Sequence, residues 1–157
     1  DGELSMAFLT LPPVYDKRLN YHMLWSDPLH FVTGALSPLA QKMNVTLEQL
    51  ANYPAILPAA NTFTSQITLA EFAKHNLKPY ATMSTNPLES IRMLVSVGLG
   101  WSVLPQTLIN QDLQPVSMAK PVELQRYLGL VTNPNITISA SMAALLDMLG
   151  LHKNDIK

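Results

Sequence analysis

The chain has no cysteine, so disulfides, thiolate nucleophiles and Cys-ligated metals are all excluded. That lack fits a reducing compartment. Charge is sparse as well: 13% of the 157 residues, with 10 basic and 11 acidic side chains giving a formal net charge of −1. The basic residues are scattered rather than grouped. A surface this neutral does not supply the phosphate contacts that drive nucleic-acid binding, so no direct contact with nucleic acid is expected from these residues. No apolar run approaches the ~20 residues that span a bilayer, and no membrane association is expected. The start, DGELSMAFLT, has no basic segment of the kind that opens a signal peptide. Gly98-Leu99-Gly100 lacks a third glycine and precedes a strand pattern, so it is no phosphate loop. The four histidines show no metal-ligand spacing, and neither a metal nor a cofactor is expected.

What the chain has is core: 48% of it is hydrophobic, which argues against disorder. The most informative stretch is NPLESIRMLVSVGLGWSVLP, Asn86 to Pro105. Asn86 suits an N-cap, Pro87 the first helical position, and Glu89 the acid of a capping box. Ile91, Leu94 and Val95 form one apolar helical face. Gly98 can take the left-handed conformation that ends a helix. Trp101 to Leu104 then reads as a buried strand closed by Pro105. This is an α/β unit for a sheet covered by helices.

Elsewhere the pattern predicts strands at Leu4–Leu11, Leu19–Trp25 and Leu29–Thr33, the last two separate elements with Asp27-Pro28 between them. Ser37-Pro38 opens a short helix with Leu39 and Ala40 facing inward. Thr46 and Gln49 form a capping box over a single turn that runs to Ala51. Ala55–Leu57 is a strand, 58–64 a polar loop and 65–76 a helix. Further strands are expected at 80–83, 113–118 and 124–131, and a helical turn at 108–111. The last helix is 139–149, with Gly150 as its stop and residues 152–157 as a frayed tail. The order is β β β α α β α β α β β β α, with mostly parallel pairing wherever helices intervene. The middle of the chain can form its own lobe while the flanks pair into another: residues 1–39 with 123–157, and 40–122. A cleft between such lobes is where small ligands go. Two sequons, at Asn44 and Asn135, read as chance matches.

Three groups of polar residues invite chemistry. Ser26, Asp27 and His30 would meet if Asp27-Pro28 is a turn, but no nucleophile-elbow pattern surrounds any serine. Asn61-Thr62-Phe63-Thr64-Ser65 lies between a strand and a helix, where free N–H groups and hydroxyls suit an anion such as a carboxylate. Ser84-Thr85-Asn86 occupies the same kind of place one unit later. Plain N-capping also accounts for both of these groups. Trp101 reads as core, as do the scattered methionines.

Nearly the whole chain resembles the effector-binding domain of LysR-type transcriptional regulators. The helix, Gly-Leu-Gly and apolar strand ending in Pro105 are similar to that family's pattern. Asp1 to Ala7 is similar to its Gly-x-Leu-Asp-x-Ala strand, with Ser5 in place of the acid. Leu36 to Ala40 is similar to a His-Pro-Leu-Ala turn, with Ser37 in place of the histidine. Leu50 to Ile56 matches Leu-x-x-Tyr-Pro-x-Ile, and Leu128 to Ser139 the last strand and helix entry. The resemblance implies an α/β, two-lobed, periplasmic-binding-protein-like (type II) fold with the first lobe incomplete. On the family's pattern the helix-turn-helix, the linker helix and the start of the effector domain would precede Asp1. It implies a ligand sensor, not an enzyme, that controls transcription from the cytoplasm and reaches DNA through that other domain. The ligand would be a small-molecule effector, an anion by the chemistry of the loop. The resemblance places Asn61, Thr62, Phe63 and Thr64 at the effector, adds Thr33 and Thr10 as cleft-lining hydroxyls, and leaves Ser84 and Thr85 facing the same cleft. Unpaired strand edges in an incomplete lobe would favour a homodimer or higher homo-oligomer. The alternative with the same fold is a periplasmic solute-binding protein of a transport system.

Overall fold

The computed structural model describes residues 5–135 and 138–151. The expected loop at Asp1 to Glu3, the tail at 152–157 and the end of the second sequon lie outside these. Among the described residues seven strands are present: β1 (Met6–Thr10), β2 (Asn20–Gly34), β3 (Ala55–Leu57), β4 (Ala81–Ser84), β5 (Trp101–Pro105), β6 (Leu113–Pro115) and β7 (Leu124–Thr132). The helices are α1 (Leu47–Ala51), α2 (Phe63–Ala73), α3 (Leu88–Ser96) and α4 (Ala140–Met148), with 3-10 turns at Pro38–Gln41 and Gln106–Leu108. No described helix is long and apolar enough to cross a membrane.

Local chemistry sets several of these elements. Thr46 accepts from the Gln49 N–H at 3.1 Å while the Gln49 side chain accepts from the Thr46 N–H at 3.0 Å, the reciprocal box its sequence predicts. Ser139 caps α4 through the Met142 N–H at 3.3 Å. Gly98 and Gly150 adopt φ of 84° and 69° and end α3 and α4.

Three expectations are corrected. There is no turn at Asp27-Pro28: one strand of 15 residues runs through it. The residue before a proline favours extended backbone, and exposed Pro28 has no N–H to leave unpaired, so the strand continues. Helix α2 starts at Phe63, not Ser65, so Phe63 and Thr64 belong to its first turn. Asn86 does not cap α3; Pro87 holds that position with no side-chain cap, and Glu89 pairs with Arg92 at 2.7 Å.

The chain divides into two compact units, residues 1–26 with 127–157, and residues 27–126; β2 and β7 contribute to both. In the first, β1 pairs antiparallel with β7, Met6 opposite Thr132 and Thr10 opposite Leu128. Leu130 and Leu146 form its core with Met6 and Leu24 packed against them. Gly129 has room for no side chain, since a Cβ there would collide with the His22 carbonyl oxygen.

In the second unit the strand order is β2-β5-β3-β4, with β6 on the other side of β2. Strand β3 is parallel to both β4 and β5, while β2 runs antiparallel to β5 and β6. The pairing is therefore mixed rather than mostly parallel. One face of this sheet carries the core of Phe31, Phe72, Trp101, Leu50, Leu57 and Val103; a second cluster holds Val32, Ile56, Ile91, Val95 and Leu104. Trp101 is wholly buried, as its apolar strand predicts, and its indole N–H donates to the Tyr53 carbonyl at 3.0 Å.

Candidate functional site

Parallel strands β3 and β4 end side by side, Leu57 opposite Ser84, so the loops that follow them share one edge of the second unit's sheet. Ligands of open α/β sheets bind at such C-terminal edges. Two hydrogen bonds join the loops into a single rim, and two more made by Thr62 shape the first loop. The Thr85 N–H donates to the Leu57 carbonyl at 3.3 Å. The Ala59 N–H donates to the Asn86 side-chain oxygen at 3.1 Å. The Thr62 hydroxyl donates to the Ala59 carbonyl at 2.8 Å and accepts from the Ser65 N–H at 3.3 Å, so Thr62 caps α2 and shapes the loop before it. The oxygen that the sequence assigned to capping α3 is thus committed to a backbone 27 residues away.

Asn61 is exposed on this rim, Thr62 and Phe63 are half-buried, and Thr64 is buried beneath them. Ser84 is exposed and Thr85 half-buried on the neighbouring loop. The N–H groups of Phe63 and Thr64 are first-turn donors without a helical acceptor. The α2 N-terminus also carries partial positive charge toward the rim.

Two residues that the sequence did not single out as binding groups complete the edge. In the antiparallel register Leu29 sits opposite Pro105, at the C-terminal end of β5, so Asp27 lies just beyond the same edge. Its carboxylate accepts from the Arg126 Nε at 2.7 Å, and both side chains are about seven-eighths buried, at 13% and 15% exposure. Arg126 Nη1 reaches the Thr64 hydroxyl at 3.4 Å. The one sequence signal for Arg126 is its position as the sole cation in an otherwise apolar strand pattern, LQRYLGLVT. The Asp27 carboxylate is held by Arg126 and makes no bond to His30, so the Ser26-Asp27-His30 grouping has no oriented histidine.

Of the other two expected residues, Thr33 is not brought here. Thr33 pairs with Trp101, at the opposite end of β5, and is fully buried with its hydroxyl unbonded. A Cβ on neighbouring Gly34 would fall 2.6 Å from the Val95 carbonyl oxygen, so Thr33 lies toward the C-terminal end of α3. Thr10 belongs to the other unit, half-buried at the end of β1.

A separate hollow of about 580 Å³ lies in the second unit, lined by Val45, Leu47, Glu71, His75, Met118 and Val122 among others. It shares no residue with the rim, and Glu71 there is already paired with Lys74 at 2.7 Å. Among the described residues no three of His, Asp, Glu or Cys are grouped so as to hold a metal ion.

A family model described as the LysR substrate binding domain matches residues 1–152. The chain is 31% identical over 141 residues to the HTH-type transcriptional regulator CatR of Pseudomonas putida, covering 83% of this chain and 48% of that protein. It spans half or less of the length of the curated relatives first matched, between 37% and 50%. The regulatory domain of CcmR from Synechocystis PCC6803, solved in complex with 2-PG, superimposes with a TM-score of 0.79 at 22% identity, covering 94% of this chain and 72% of that one. The effector binding domain of QuiR in complex with shikimate gives 0.78 at 21% identity, with 94% and 70% covered. At these identities the two structures establish the fold, the periplasmic-binding-protein-like (type II) α/β architecture of LysR effector-binding domains.

Proposed function

The chain belongs to the LysR substrate binding domain family, and on that premise we propose that it is the ligand sensor of a DNA-binding transcription regulator. The observation that carries this reading is the rim: two loops locked together by the Asn86–Ala59 hydrogen bond at the C-terminal edge of parallel strands. Asn61, Thr62, Phe63 and Thr64 hold the effector, with Ser84 and Thr85 beside them. Hydroxyls, an amide and first-turn N–H groups favour an anion over a neutral or cationic ligand. Shikimate, held by the related QuiR domain, is a carboxylate, which supports the same preference.

No bond of the ligand is made or broken in this reading, and the domain is no enzyme. Effector binding favours one arrangement of the regulator over another, and only the difference in affinity between the two shifts the equilibrium. DNA is contacted by another part of the whole regulator, in the cytoplasm. The curated relative reported above is a transcriptional regulator, which supports this reading over a transport solute receptor.

Titrating the chain with small organic anions, by calorimetry or thermal shift, tests the site. Binding of at least one is expected, and Asn86→Ala should weaken it by roughly 3- to 10-fold, the worth of one hydrogen bond that shapes the rim. An Asn86→Ala variant that is folded and binds every anion as wild type does would remove the rim from the site.

Self-association is part of the proposal. Strand β4 is exposed at all four positions, and Phe8, Met23, Trp25 and Tyr127 expose large apolar side chains in the first unit. Open edges and apolar faces of this kind drive pairing between copies. Light scattering is expected to give a mass of at least two chains; a monodisperse monomer at micromolar concentration would contradict it.

A further inference from the structure

We propose that Arg126 is the residue that reads the ligand's charge at the rim, that Asp27 positions it, and that the ligand group it reads is a carboxylate. This rests on the reading of the rim as an effector site.

A guanidinium carries five N–H donors in a planar fork. Asp27 takes the Nε edge at 2.7 Å, and Thr64 takes one Nη1 hydrogen at 3.4 Å. Nη2 makes no hydrogen bond to any described residue. Nη2 is not among the buried atoms left unbonded, so this end of a side chain only 15% exposed reaches solvent and is open to an acceptor from outside the chain. Three other described cations are held in ion pairs: Arg92 by Glu89, Lys74 by Glu71 and Arg18 by Asp16, each at 2.7 Å. Among the described basic residues, Arg126 alone lies in a strand and bonds to the rim, through Thr64.

The charge balance selects the ligand. Asp27 already neutralises Arg126, and the α2 N-terminus adds roughly half a positive charge. A monoanion leaves the site close to balance, whereas a dianion such as the doubly ionised form of inorganic phosphate is under-compensated. A carboxylate also matches the planar fork with two parallel hydrogen bonds, which a lysine ammonium cannot reproduce. With its Nε edge fixed by Asp27, the guanidinium is oriented before the ligand arrives, so little ordering is left to binding.

The test uses the 157-residue chain with shikimate, benzoate, the neutral analogue benzamide, and inorganic phosphate at matched ionic strength. A carboxylate is expected to bind, with benzamide and phosphate at least about tenfold weaker. Arg126→Lys keeps the charge and should lose about tenfold or more; Arg126→Gln should abolish binding. The paired variant Asp27→Asn with Arg126→Gln replaces the ions by amides of similar shape, and it should stay folded by circular dichroism without binding. Carboxylate affinity unchanged in folded Arg126→Lys and Arg126→Gln, but lost in Asn61→Ala with Thr62→Val, would overturn the role of Arg126 and leave the site standing. Affinity unchanged in all of these would remove the site itself. Preference for phosphate, or no carboxylate bound at millimolar concentration, would overturn the ligand class.

Discussion

Trp101→Ala is expected to cost about 3–5 kcal/mol, the usual cost of truncating a large buried aromatic side chain. Trp101 is fully buried, and its ring sits 5.6 Å from Phe31 edge-to-face and 5.7 Å from Phe72 in an offset stack. Phe31 and Phe72 also meet edge-to-face at 6.0 Å, so all three rings share one cluster between β2, β5 and α2. Removing the middle of that cluster leaves a cavity bounded by sheet and helix backbone that cannot collapse into it. It also leaves the Tyr53 carbonyl without the indole N–H that bonds it at 3.0 Å. Against a typical total of about 5–15 kcal/mol, the variant should be largely unfolded or barely stable at 37 °C. Trp101→Phe keeps a ring and should lose about 1–3 kcal/mol, for the unpaired carbonyl and the smaller volume. Urea denaturation followed by circular dichroism measures both. A loss below about 1 kcal/mol for the alanine variant would mean that the cluster is not the core of this unit.

Asp27→Ala is the second large effect, expected at about 3–4 kcal/mol, because it strands a guanidinium that is 15% exposed without its carboxylate. The pair itself contributes much less than this loss suggests. Taking both charges out of water offsets most of their mutual attraction, so replacing both by apolar residues of similar volume, Asp27→Leu with Arg126→Met, should come within about 1 kcal/mol of wild type. The double-mutant cycle therefore predicts strong coupling across 99 residues of sequence. Additive single and double effects would show that the two side chains do not form one unit. A neutral stability cost for the double replacement, combined with lost carboxylate binding, is the pattern expected of an ion pair kept for recognition rather than for stability.

The residues that read correctly from the chain are those whose partners are near in sequence. The Thr46–Gln49 box and the glycine stops at 98 and 150 each depend on atoms a few residues away. The apolar run from Trp101 to Pro105 fixed a buried strand in the same way, because every position of it is inside. Asn86 misled for the opposite reason. Its local setting suits an N-cap, yet its oxygen serves the Ala59 N–H across the rim, a competition that only tertiary contact can decide. The Asp27-Pro28 step misled because a proline reads as a turn when its neighbours in space are unknown.

The rim itself was half legible. The polar loop before α2 showed in the sequence, since hydroxyl and amide residues between a strand and a helix are a local pattern. Which other residues share its edge depended on the direction and register of β2 against β5. That register brings Asp27 to the edge and carries Thr33 to the far end of the same strand, although only six residues separate them. What composition, capping and apolar patterning settle unaided is the α/β class and the place of most elements; the family was legible only through the resemblance of its motifs. The arginine facing Thr64, the carboxylate that holds it and the loss of Thr33 from the site came from strand pairing, because hydrogen-bonded neighbours in a sheet are set by long-range register and leave no trace in local sequence.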